Sequence, residues 1–167
     1  MNMVVLGSGL RTIQLGGIMK TKLVLSLSII LLIGGCADQN KTAQSLLDEG
    51  IKLHQEGNYD ASIQKYNEAL KVEPNNSVAY NLLGIAYRLK FNQTGTQEYK
   101  IKEIDSFKKA VDLDPKFWIA YKNLAASLYY QDRKKEAVPY LERALELQPN
   151  DPEKNLLLQW IEEGKSE

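Results

Sequence analysis

The chain has 167 residues, of which 44% are hydrophobic and 25% are charged, and its 21 basic and 21 acidic residues give a formal net charge of zero. This composition supports one folded domain and excludes a disordered chain. Nucleic-acid binders normally carry a basic surplus, so we expect no nucleic-acid partner. With one Cys and one His, the chain can form neither an internal disulfide nor a Cys/His zinc site, and we expect no metal and no cofactor.

The first segment, residues 1–35, has the layout of a secretory signal peptide. Lys20 and Lys22 precede the apolar run Leu23–Ile33. This run is too short for a permanent membrane-spanning helix, which needs about 20 residues. Because a start at Met19 places both lysines next to the amino terminus, we expect translation to begin there.

The next residues resemble the lipobox of bacterial lipoproteins, in which an aliphatic residue and two small residues precede a Cys. Here they are Ile33, Gly34, Gly35 and Cys36. The resemblance implies cleavage before Cys36 and lipid on its sulfur, with residues 36–42 as lipidated N-terminus and short linker. Two or three acyl chains would anchor the protein stably to a lipid bilayer. The alternatives are an ordinary signal peptide with an incidental Cys and a short uncleaved anchor.

The residues after Cys36 bear on the membrane in which the protein resides. Ala37 in this position implies sorting to the outer membrane, facing the periplasm, if the source has two membranes. Asp38 one place later leaves the inner membrane open. We therefore expect a lipid-anchored protein of the bacterial envelope.

Three later segments of the chain end alike. They are NEALKVEPNN at 67–76, KKAVDLDPKF at 108–117 and ERALELQPND at 142–151. Each contains one proline, and these are Pro74, Pro115 and Pro149. The shorter interval, from Pro115 to Pro149, is the basic period, and the second copy carries seven extra residues. Apolar residues recur at helical spacing in each copy, which predicts helix pairs that stack into a solenoid.

A 34-residue period with these residues resembles the tetratricopeptide repeat. Gly50 and Gly84 lie one such period apart and mark the same position in the first helix of two copies. The resemblance implies an all-α, right-handed helical solenoid of three helix pairs. The predicted repeats span residues 43–76, 77–117 and 118–151. Three repeats are about the minimum for a stable array.

Residues 152–167 are predicted to form a C-terminal capping helix. Asp151 is a suitable N-cap, and Pro152 fits the first turn. An apolar stripe on this helix should cover the exposed face of the last repeat, as solenoids require, and Gly164 should end the helix. The stripe consists of Leu156, Leu157, Trp160 and Ile161.

Two features depart from the repeat pattern. The seven extra residues fall around 91–98, where Gly and polar residues predict a loop. This loop is either a neutral surface insertion or a functional segment. Glu103 occupies a position where the repeat has a small residue. Because an unpaired buried carboxylate is costly, we expect the start of that helix to be shifted in register.

No set of residues suggests catalysis, so we predict a protein that is not an enzyme and has no small-molecule substrate. His54 has no Ser and Asp partners of the kind that a catalytic triad needs. The dipole of the first helix favours a protonated His in its last turn.

The resemblance implies instead a peptide-binding groove on the concave side, lined by the first helix of each pair. Its residues are Leu47, Ile51, His54, Val78, Asn81, Ile85, Arg88, Ile119, Lys122, Ala126 and Tyr129. We expect Asn81 and Arg88 to be unnecessary for the core and to orient a bound peptide or helix. The alternative is that some of the apolar residues only pack between neighbouring repeats.

A subgroup of the family binds the carboxy-terminal tails of cytosolic chaperones through a two-carboxylate clamp. The matching positions here are Leu47, Ile51, Leu82, Ile119 and Asn123. Only one of these residues is polar, so we expect the clamp to be absent.

These features favour a membrane-anchored protein-binding scaffold or adaptor in the bacterial envelope. Lipidated repeat proteins of this kind include pilotins for outer-membrane secretins and adaptors that dock peptidoglycan hydrolases. The alternative is a fixed structural or assembly subunit of an envelope complex. In either case the expected partner is another envelope protein.

Overall fold

The computed structural model describes residues 41–166, and this part of the chain folds into seven helices without a strand. The helices are α1 (Ala43–Gln55), α2 (Tyr59–Val72), α3 (Ser77–Thr94), α4 (Gln97–Leu113), α5 (Trp118–Tyr129), α6 (Lys134–Leu147) and α7 (Lys154–Ser166). They form three pairs, α1 with α2, α3 with α4 and α5 with α6, and the second helix of each pair packs on the next element. The predicted all-α array of three helix pairs with a capping helix is confirmed.

Residues at both ends of the helices explain where they start and stop. Thr42, Asn58 and Asn76 cap α1, α2 and α3, because each side-chain oxygen accepts a hydrogen bond from the backbone N–H three residues later. The second helix of each pair ends two residues before a proline, which disfavours helical geometry in the residue before it. These prolines are Pro74, Pro115 and Pro149.

Within each of the first two pairs, a glycine of the first helix lies against an aromatic ring of the second. Tyr66 and Phe107 are fully buried. A Cβ at Gly84 would lie 2.5 Å from the Phe107 ring, and one at Gly50 would collide with Tyr66 in the same way. The repeated glycine therefore marks the point of closest approach between the two helices of a pair.

The segment predicted as a loop at 91–98 is mostly helical, so that prediction is wrong. Helix α3 continues to Thr94 and α4 begins at Gln97. Only Gly95 and Thr96 connect them, and Gly95 takes the left-handed φ of 70° that a helix C-cap requires. The seven extra residues therefore lengthen both helices to 18 and 17 residues, against 12 to 14 in the other two pairs.

The apolar stripe of α7 is narrower than the sequence predicts. Leu157, Trp160 and Ile161 are buried against the last helix pair, whereas Leu156 is 40% exposed. Leu157 lies three and four positions before Trp160 and Ile161, whereas Leu156 is on the same side as Trp160 alone and so lies at the edge of the stripe. The helix also starts at Lys154, after a short turn that follows Asp151.

Gly164 does not end α7, contrary to the prediction, because the helix continues to Ser166. Gly164 is buried, and a Cβ there would lie 2.6 Å from the backbone oxygen of Lys134 and 2.7 Å from Val138. This glycine therefore allows α7 to approach the backbone of α6.

Candidate functional site

All eleven residues predicted for the groove lie on the first helices of the pairs, α1, α3 and α5. Val78 and Ile119 are 47% and 40% exposed, whereas Leu47 and Asn81 are buried. The partly buried residues are Ile51, His54, Ile85, Arg88, Lys122, Ala126 and Tyr129. Several of the apolar ones also pack against the core: Ile51, Ile85 and Ala126.

Arg88 is the centre of a polar network that joins α3, α4 and α5. Its Nε donates to Oε1 of Glu103 at 2.6 Å, and its Nη2 donates to the backbone oxygen of Asn123 at 3.0 Å and to Oγ of Ser127 at 2.8 Å. The Ser127 hydroxyl in turn donates to the Glu103 carboxylate. The Arg88 guanidinium also lies 5.1 Å from the centre of the Phe107 ring. The guanidinium thus neutralises a buried carboxylate.

This network corrects the expected register shift of α4. Glu103 lies four residues before Phe107, as Ser62 lies four residues before Tyr66, and both Glu103 and Ser62 are buried. The register is therefore kept, and a carboxylate occupies the small-residue position because Arg88 pairs with it. In the sequence, a Glu at a small-residue position indicated that it had a buried partner. The repeat pattern alone did not identify Arg88 as that partner.

Asn81 also belongs to the interior and not to a free binding surface. It is 5% exposed, and its Oδ1 accepts a hydrogen bond from Nδ2 of Asn123 at 2.9 Å. Together with Arg88, this bond links α3 directly to α5. The expectation that Asn81 and Arg88 are unnecessary for the core is therefore wrong.

Lys122 ties α5 to the turn before the capping helix. Its Nζ lies 2.9 Å from the Asp151 carboxylate and 3.0 Å from that of Glu153. Burial opposes the charged form of Lys122, but these two hydrogen bonds raise the pKa of Lys122 above its usual value. Burial likewise opposes the charge on Asp151, yet the Lys122 ammonium and the Glu153 backbone N–H lower the pKa of Asp151.

Tyr129 connects the end of α5 to α7. Its ring stacks on Trp160 with 4.3 Å between the ring centres, and its hydroxyl donates to the Glu163 carboxylate. This hydrogen bond lowers the pKa of Glu163 and raises that of Tyr129. Two of the predicted groove residues, Lys122 and Tyr129, are therefore already held by the C-terminal part of the domain.

His54 lies in the last turn of α1, as predicted, but its surroundings do not favour its protonated form. Burial lowers the pKa of His54 below the usual value. Its Nδ1 is buried without a hydrogen-bond partner in the described part of the chain, and its ring meets the Tyr59 ring edge-on at 5.6 Å. Burial thus opposes the protonated form that the helix dipole would favour.

A cavity of about 360 Å³ opens beside the Arg88 network. Its lining includes Arg88, Glu103 and Ser127, together with the aromatic side chains of Phe91 and Tyr130. Such a volume is at the low end of the range for small-ligand pockets. This cavity was not predicted from the sequence, because four of its lining residues lie in the segment interpreted as a loop or in the turn after α5: Phe91, Asn92, Tyr130 and Gln131.

Other types of site find no support in residues 41–166. No group of three or more His, Cys, Asp or Glu side chains is placed to hold a metal ion there. None of the helices in this range combines the length and apolar character needed to cross a membrane. Cys36 and the predicted signal peptide lie outside the described residues, so lipidation remains a prediction.

Comparison with protein families gives two matches. A model described as TPR repeat covers residues 50–90, and one described as Tetratricopeptide repeat covers residues 118–151. The chain is 30% identical over 141 residues to photosystem I assembly protein Ycf3 of Rippkaea orientalis, which covers 74% of this chain and 77% of that protein.

A fungal relative and a solved structure are also similar. The chain is 32% identical over 109 residues to small glutamine-rich tetratricopeptide repeat-containing protein 2 of Mycosarcoma maydis, covering 65% of this chain but only 29% of the relative. The chain thus spans less than a third of that protein. Among solved structures, the first TPR of Spaghetti (RPAP3) bound to the HSP90 peptide SRMEEVD is 28% identical, with a TM-score of 0.65. This similarity covers 75% of this chain and 97% of that one.

Proposed function

The chain belongs to the tetratricopeptide repeat family, and on that premise we propose that it is a protein-binding scaffold anchored in the bacterial envelope. The concave face of α1, α3 and α5 captures a peptide or helix of another envelope protein. Lipid on Cys36 holds the domain at the membrane. This role is of the same class as that of pilotins and of adaptors for peptidoglycan hydrolases.

The observation that carries the proposal is a set of exposed and partly exposed apolar side chains on the first helices of the pairs. Val78 and Ile119, at the beginning of α3 and α5, are 47% and 40% exposed, and Ile51 and Ile85 are partly exposed. A partner that covers such side chains gains about 25 cal/mol for each Å² of apolar surface removed from water. An extended peptide or the apolar side of a helix suits a groove of this kind.

The residues at the clamp positions argue against a chaperone tail as the partner. The similar solved structure binds an HSP90 peptide that ends in EEVD. Here one of the matching positions holds the buried Leu47, and another holds Asn123, whose amide donates to Asn81. Neither residue offers a cation to a carboxylate. We infer a partner that is recognised mainly through apolar contacts.

Site-specific cross-linking tests the groove. A photoreactive amino acid at Val78 in the membrane-anchored protein should give one adduct of defined mass in living cells. The matched control is the same residue at Lys109, which is exposed on α4, a second helix. Adducts at both positions in similar yield would favour the alternative, a fixed subunit that is enclosed on several sides by its complex.

Metabolic labelling tests the membrane anchor. Cells expressing the protein should incorporate a labelled fatty acid into it, and Cys36→Ser should abolish both the label and the cleavage of the precursor. The test is clean because Cys36 is the only cysteine in the sequence. Label that persists in Cys36→Ser would contradict lipidation at this position.

A further inference from the structure

The extension of α3 and α4 builds one end of the cavity described above. Phe91 and Asn92 lie in the last turns of α3, and Lys100 lies in the first turns of α4. All three residues line the cavity together with Tyr130 and Gln131 from the turn after α5. The seven extra residues of the second pair therefore have a structural consequence, which is a recess that a pair of shorter helices would lack.

The aromatic side chains of this recess are accessible to a ligand. Tyr130 is 73% exposed, although its ring also meets Trp160 edge-on at 5.4 Å. The Lys100 ammonium lies 4.5 Å from the centre of the Phe91 ring. Aromatic rings prefer stacked or edge-to-face contacts with other rings, which stabilise a bound ring beyond the effect of burial alone.

The charge of the recess is positive. Arg88 and Glu103 neutralise each other through their hydrogen bond at 2.6 Å. The ion pairs among the described residues do not include Lys100, whose ammonium lies over the Phe91 ring, so the side chains that line the cavity carry one net positive charge. The amides of Asn92 and Gln131 add hydrogen-bond donors nearby. A carboxylate would be attracted there, and an amine would be repelled.

From these contacts we infer that the recess binds an aromatic residue with an adjacent carboxylate, as the anchoring part of the captured peptide. The ring of the ligand packs against Phe91 and Tyr130, and its carboxylate pairs with Lys100. The carboxylate comes either from the C-terminus of a partner that ends in an aromatic residue or from an acidic side chain next to one. The inference rests on the proposed function only for the origin of the ligand.

Two small probes distinguish these sources by saturation-transfer NMR on the full chain in detergent. Acetyl-phenylalanine presents a terminal carboxylate, whereas acetyl-aspartyl-phenylalanine amide presents only a side-chain carboxylate. Acetyl-phenylalanine amide, which has neither, is the matched control. We expect saturation of the ring protons of one acidic probe, with an affinity about fivefold higher than that of the neutral amide, as for a partly exposed ion pair.

Variants locate the binding. Lys100→Gln should remove the preference for the acidic probe, and Tyr130→Ala should weaken every probe. Lys109→Gln, on the same helix but outside the recess, should change nothing. Equal binding of the acidic and neutral probes to the wild-type protein would overturn the inference, as would a preference that survives Lys100→Gln.

The outcome of this experiment is independent of the cross-linking experiment that tests the proposed function. If the acidic probe binds through Lys100 while no adduct forms at Val78, the recess remains a carboxylate site and the groove proposal fails. If adducts form at Val78 while no probe prefers the recess, the groove stands and this inference fails.

Discussion

Glu103 is a buried carboxylate that depends on one guanidinium for its charge balance. The side chain of Glu103 is 5% exposed and that of Arg88 is 32% exposed. Arg88→Ala would leave the carboxylate buried without its counter-charge. We expect the free energy of unfolding to fall by about 3 kcal/mol, measured by urea denaturation of a fragment that begins at Ala37.

A double variant separates this charge effect from lost packing. In Arg88→Met with Glu103→Leu, both charges are replaced by apolar side chains of similar size. Since such replacements are often neutral or stabilising, the double variant should be more stable than Arg88→Ala alone. A double variant that is less stable than Arg88→Ala would show that the two residues contribute mainly through separate contacts.

His54 should make the stability of the domain depend on pH. Burial holds the pKa of His54 below 6.5, so at lower pH the unfolded chain binds a proton that the folded chain resists. The free energy of unfolding should therefore decrease as the pH falls from about 6.5 to the folded-state pKa. His54→Gln should remove this part of the pH dependence, which urea midpoints at pH 7.5 and pH 5.5 would measure. The same loss of stability in both proteins would assign it to the carboxyl groups.

At the scale of elements, we predict that the extra length of α3 and α4 is needed for ligand binding in the recess but not for folding. Replacing residues 90–99 with the Glu-Gly-Asn turn found at 56–58 removes seven residues and restores the basic period of the repeat. The change also removes the Lys90–Asp60 ion pair, whose Asp side chain is 70% exposed and which contributes little. The melting temperature should stay within about 5 °C, while binding of the acidic probe is lost. A variant that fails to fold would assign the extension to the core.

The helix pairs could be predicted from the sequence because the same physical need recurs in every repeat. Gly50 and Gly84 allow close approach to an aromatic ring, and the prolines stop the second helices. The prediction of a loop at 91–98 is wrong because polar residues such as Asn92 and Gln93 occur on the exposed side of a helix as readily as in a loop. Only Gly95, with its positive φ, needed to be a turn residue.

The partners of the polar groove residues could not be predicted in the same way. The repeat pattern predicts which side of α3 Asn81 and Arg88 occupy. It does not predict which side chains of the neighbouring helix lie opposite them. Asn123 and Ser127 lie 42 and 39 residues further along the chain. Contacts at such separations depend on how the pairs stack, which the period alone does not determine.

At the scale of the whole molecule, the array depends on its capping helix. Deleting residues 152–167 would expose the side of α6 and remove three buried side chains: Leu157, Trp160 and Ile161. Each buried side chain of this size stabilises by about 1.5–3 kcal/mol, so we expect a loss on the order of 5 kcal/mol and aggregation on heating. Thermal unfolding followed by circular dichroism would measure it.

A matched substitution on the same helix serves as the control. Leu158 is 43% exposed on the outer side of α7, and Leu158→Ala should change the stability by less than about 0.5 kcal/mol. A truncated protein that melts like the full chain would contradict the assignment of α7 as a cap.

The bonds from α3 to α5 also determine where this array can be recombined. Repeat arrays are usually treated as interchangeable modules joined by similar interfaces. Here Asn81 and Arg88 of one repeat are completed by Asn123 and Ser127 of the next, so exchanging either repeat for a consensus copy would leave polar groups of the other without partners. The second and third repeats should therefore be transplanted as one unit, and a designer who wishes to lengthen the array should insert new copies ahead of Asn76.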